Sequence, residues 1–93
     1  MTRFLRSEER PEGYKLEEIL TVIRADVLKR CELIAMDARP EAIHVLNNNI
    51  AILQHMTECV NLALDSTRTL DKAFGPSQAE KGGPPRIGTS EAA

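Results

Sequence analysis

Residues 40–74 read PEAIHVLNNNIAILQHMTECVNLALDSTRTLDKAF, with no glycine, no proline after Pro40, and a stop at Gly75-Pro76. The run is patterned as one amphipathic helix. Alternating steps of three and four from Ile43 pick out Ile43, Leu46, Ile50, Leu53, Thr57, Val60, Leu64, Thr67, Asp71 and Phe74, the spacing of a heptad seam. A second seam beside it holds Val45, Asn49, Ile52, Met56, Cys59, Ala63, Ser66 and Leu70. Together the seams cover about half the circumference, whereas one partner needs only about 100° of apolar arc. The helix is therefore expected to touch at least two others.

Upstream, Tyr14 to Met36 is also helical in pattern, with Leu16, Leu20, Ile23, Val27, Cys31 and Ile34 in a stripe widened by Ile19 and Ala35. Glu17 and Glu18 in its first turn, and Lys29 and Arg30 toward its end, complement the helix dipole. No Ser, Thr, Asp or Asn stands at the N-cap position. Between the helices Arg39 precedes proline and is pushed out of the α region, while Pro40 suits a first helical position. Glu41 follows where the dipole favours an anion.

So short a connection makes the helices antiparallel neighbours, with Ile34 opposite Ile43 and Cys31 opposite Leu46. Helix one then runs out where helix two reaches residues 61–63. The last dozen residues of helix two are left without an intramolecular partner, an overhang of roughly 18 Å.

The flanks read differently. Residues 1–13 form a charged leader broken by Pro11 and Gly13, which is expected to be mobile. Residues 14–75 make up the helical hairpin domain. Residues 76–93, with Lys81-Gly82-Gly83-Pro84-Pro85 near their middle, lack apolar groups and are expected to be disordered.

The chain has 93 residues with a formal charge of -2 and only 3% aromatic residues, so burial must come from aliphatic side chains. Its two cysteines, Cys31 and Cys59, have neither metal-motif spacing nor the pattern of a secreted disulfide framework. With no apolar run of a signal peptide or membrane span, a reducing cytoplasm fits best and no membrane association is expected.

Sites of chemistry are sparse. His55 and Cys59 lie four apart on one helix, a spacing able to place two ligands on one ion, but structural zinc needs four and His44 is about three turns away. Cys59 falls in the second apolar seam, where burial makes a thiol inert. No metal, no cofactor and no catalytic residue is expected, and the chain does not read as an enzyme. In Asn47-Asn48-Asn49 only Asn49 points into a seam, where a buried amide can fix register at some cost in stability. Arg3, Arg6, Arg10 and Lys15 gather near the N-terminus, but Glu8, Glu9 and Glu12 offset them. That balance disfavours nucleic-acid binding, which is driven by phosphate neutralisation.

The expected fold is all-α: an antiparallel two-helix hairpin with a long second helix, paired by a twofold axis into a four-helix bundle. Val45, Asn49, Ile52, Met56, Cys59, Ala63, Ser66, Leu70 and Phe74 are the expected dimer interface, with the closest crossing near Ala63. The expected function is non-enzymatic protein binding by a homodimeric adaptor, co-chaperone or regulator whose partner protein is unidentified. The alternative is a nucleic-acid-binding regulator of helical-hairpin dimer type. The topology resembles that of small plasmid-encoded RNA-binding hairpins and of short helical co-chaperones of bacterial secretion systems, a likeness that rests on no shared motif. No intrachain link between Cys31 and Cys59 is expected, because the pairing above leaves them roughly 20 Å apart along the helix, against a bridging limit of about 7 Å. Mass analysis under non-reducing conditions should show two free thiols per chain.

Overall fold

The computed structural model describes residues 3–7, 9–76 and 86. Two helices pack against each other, α1 (Leu16–Ile34) and α2 (Pro40–Phe74), and the described residues contain no strand, only one isolated bridge between Leu5 and Tyr14. The hairpin is a rod of 51 × 24 × 20 Å, whose length matches that of α2 at about 1.5 Å per residue.

Local chemistry sets the helix ends. Tyr14 belongs to the leader, because its N–H donates to the Phe4 carbonyl (3.0 Å) and its carbonyl accepts from the Arg6 N–H (2.7 Å). So α1 starts at Leu16, two residues later than the periodicity suggests. Its cap is half of a capping box: the Glu18 carboxylate accepts from the Lys15 N–H at 3.0 Å, while a lysine side chain has nothing with which to accept in return. At the far end α2 stops at Gly75, whose φ of 81° favours glycine and whose N–H donates to the Asp71 carbonyl at 2.9 Å.

The turn is clasped by one ion pair. Both Asp37 carboxylate oxygens accept from the Arg39 guanidinium, the shorter contact at 2.6 Å, and Oδ1 also accepts the Arg39 backbone N–H at 3.0 Å. That side-chain bond, with the backbone one behind it, holds the Asp37 carboxyl below its ordinary value.

The register departs from the one expected. Glu17 Oε2 accepts from Thr67 Oγ1 (2.9 Å) and Arg24 Nε donates to Thr57 Oγ1 (2.9 Å), whereas Ile34 opposite Ile43 would set residues 60 and 53 there. As α1 rises from 17 to 24, α2 falls from 67 to 57, so the helices run antiparallel with a displacement of four to seven residues. The connection explains it. Ala35 stays in the α region, the Asp37 N–H closes a turn onto the Ile34 carbonyl, and Arg39 is extended, so the chain advances past the end of α1 before α2 begins. The overhang of α2 shrinks accordingly to the residues after Thr67.

The packed stripe also differs. On α2 the less exposed positions are Ala42, Leu46, Asn49, Leu53, Met56, Val60, Ala63, Thr67 and Leu70, with Leu64 beside them, and apart from Ala42 and Leu64 they take alternate members of both seams. On α1 they are Leu20, Arg24, Val27, Cys31 and Ile34, flanked by Glu17 and Ile19. Two equally apolar seams do not say which line between them faces the partner, and small side chains decide it by letting the backbones approach. Cys31 (7% exposed) and Ala63 (5%) are the buried apolar residues of the described chain. Residues 1, 2, 8, 77–85 and 87–93 lie outside the described residues, and most of the expected disordered tail falls among them.

Asp37 has a depressed carboxyl, so its contribution is full above its unfolded value of about 3.9 and is lost as pH falls through the lower folded value. Asp37→Asn should therefore melt earlier than the wild type at pH 7 and together with it near pH 2, a difference that thermal melts followed by circular dichroism would measure.

Candidate functional site

The described surface is chiefly that of the two helices. Taking the packed stripe as zero and advancing about 100° per residue, the same turn direction in two antiparallel helices points to the same side of the hairpin. One broad side carries Leu16, Ile19 and Ile23 from α1 with Val45, Ile52 and Cys59 from α2. The other carries Leu28, Ile43, Ile50 and Leu64, interrupted by the Arg24–Thr57 and Glu17–Thr67 bonds and by Arg68 and Asp71. Both hydrogen bonds fall on the side the wheel assigns to all four of their residues.

Of the nine residues expected at a dimer interface, the structure divides eight into two rows. Asn49, Met56, Ala63 and Leu70 lie toward α1, which takes them up within the single chain. Val45, Ile52, Cys59 and Ser66 stay exposed on one flank, and the ninth, Phe74, is exposed at the C-terminal end of α2. Arg24 is absent from the expected α1 stripe, because a cation in a packed stripe breaks the apolar pattern. Its signal was positional, since Arg24 lies three and four residues from Val27 and Leu20, with its stem on apolar surface and its head reaching Thr57.

Cys59 is exposed, not buried as its seam suggested, because the packed line runs through Met56, Val60 and Ala63 instead. His55 Nδ1 stands 3.9 Å from the Glu58 carboxylate. Among the described residues no group of three or more His, Cys, Asp or Glu side chains converges as metal ligands do. Both cysteines are free thiols. In the observed register Cys31 lies opposite residues 50 to 53, so Cys59 is still roughly 9 to 14 Å away along the helix.

At the open end of the hairpin the leader folds back. Arg6 Nε donates to the Gly13 carbonyl at 3.0 Å, and Ser7 and Arg10 exchange backbone bonds at 3.1 Å each. Between this loop and the helix ends lies a cavity of about 440 Å³ whose walls include Leu5, Tyr14, Leu16, Ala63 and Leu70. Of the charged groups around it, Arg86 is engaged with the Asp71 carboxylate and the Gly75 carbonyl, and Glu17 with Thr67. The cavity lies where the leader meets the hairpin. It brings the leader alongside Ala63 and Leu70 of α2, a neighbour the periodicity does not predict, although Pro11 and Gly13 are a legible turn signal.

No family model, no curated protein and no solved structure matches the chain.

Gly13 holds the leader in place by having no side chain. A Cβ there would lie 2.7 Å from the Arg6 nitrogen and 2.7 Å from the Leu5 carbonyl carbon, both backbone atoms that cannot swing aside. Gly13→Ala should open the loop, so that the Arg6 and Tyr14 amides exchange with deuterium at least about tenfold faster, a loss of about 1.4 kcal/mol of protection. Amides in the middle of α1 and α2 should keep their rates.

Proposed function

We propose that the chain is a non-enzymatic helical interaction module that works as a homodimer, an adaptor, co-chaperone or regulator presenting helix surfaces to a protein partner. One observation carries this reading: no side chain among the described residues is fully buried, and Cys31 and Ala63 are the only buried apolar residues. Large aliphatic groups on both helices stay in water, Leu33 at 77% and Met36 at 93% exposure among them. Ordering a residue costs roughly 1.5 kcal/mol, and only apolar burial on a matching scale offsets it. A hairpin with one interface supplies too little.

Other destinations for the exposed groups fit less well. No described helix is long and apolar enough to cross a membrane. An apolar face on a rod is matched by another helical face, which a twofold mate provides without a second gene product.

Sedimentation equilibrium on the full chain should give a dimer at micromolar concentration. The thermal midpoint should rise with protein concentration, as mass action requires when folding and association are linked. A monomer that melts cooperatively at a concentration-independent temperature would overturn the proposal.

A further inference from the structure

The two broad sides of the hairpin are chemically unequal, and the inequality selects one of them. The side with Leu16, Ile19, Ile23, Val45, Ile52 and Cys59 carries Glu41 at the start of α2 and two charges, Asp26 and Arg30, at its α1 edge. They are one helical turn apart and of opposite sign, yet neither is in an ion pair within the described residues. The opposite side is broken by Glu17, Arg24, Arg68 and Asp71, three of which already hold partners. Water suits the second side and not the first.

We infer that the Ile23–Ile52 side is covered by a second copy of the chain, related by a twofold axis perpendicular to the helices that passes between Asp26 and Arg30 on α1 and between Ile52 and Cys59 on α2. This rests on the homodimer reading and specifies it. Three observations agree. An axis level with residue 28 sets Asp26 opposite Arg30 of the partner subunit twice over, so the two charges at the α1 edge of the face neutralise each other by symmetry. The Glu17–Thr67 and Arg24–Thr57 bonds place that same level at residues 53 to 56 of α2, which is the midpoint of the exposed row from Val45 to Ser66. That row is roughly 31 Å long on a hairpin 24 Å wide, which gives a face on the order of 750 Å². A standard interface takes about 800 Å² from each partner. Met56, Ala63 and Leu70 lie outside this interface because α1 covers them, and the closest crossing moves from Ala63 to the stretch between Ile52 and Cys59.

Sedimentation equilibrium on full-length variants tests the face separately from the dimer. Ile23→Asp and Ile52→Asp should each raise the dimer Kd at least about thirtyfold, and Ile50→Asp on the other side should leave it within about threefold. Asp26→Arg should weaken association and Arg30→Asp, added to it, should restore it, a comparison between exposed charges that does not depend on a substituted apolar residue folding. Dissociation by Ile50→Asp with Ile52→Asp still dimeric would overturn the assigned face and leave the homodimer standing. A double charge reversal as weak as Asp26→Arg alone would overturn the axis. A wild type that stays monomeric would overturn the face and the homodimer together.

Discussion

Everything in this molecule hangs on one line of contact between two helices. Along that line the backbones approach where the side chains are smallest, at Cys31 and Ala63. Larger residues on either side, such as Leu20, Val27, Leu53 and Val60, are only half covered, because a second helix shields one arc of a cylinder and leaves the flanks open. A third layer of structure would close those flanks, and the described chain has none.

Polar contacts do what the thin core leaves undone. Arg24 and Glu17 each reach across to a threonine of α2. The Asp37–Arg39 clasp fixes how far the chain travels before it reverses. These bonds are surface or half-buried interactions of modest energy, so they are better understood as selecting the register than as holding the fold. At the other end Gly13 lets the leader backbone close on itself and cover the first turn of α1.

The polar contacts also make the hairpin asymmetric. By lying on one broad side they give that side partners in water, and by contrast leave the other as an aliphatic strip edged along α1 by one unmatched pair of opposite charges. A flat side of that composition on a rod is the kind of surface that a twofold axis satisfies, since each copy supplies what the other lacks.

The amino-acid sequence by itself determined the all-helical hairpin, the long second helix with its start at Pro40 and its stop at Gly75, and the turn around Arg39. These follow from local chemistry: apolar spacing of three and four, the fixed φ of proline, and a glycine where φ turns positive. The apolar arc of α2 was also legible as wider than one neighbour needs. Tertiary structure alone decided which line within that arc faces α1. Both seams were apolar, and only the approach of real backbones at Cys31 and Ala63 distinguishes Met56, which is packed, from Ile52 and Cys59, which are not. It likewise decided the register, because the displacement of four to seven residues arises in the path of Ala35 to Arg39, which no periodicity encodes. The seat of the leader brings residues 5–16 and 63–71 around one cavity, and neighbours so distant along the chain leave no pattern in either segment alone.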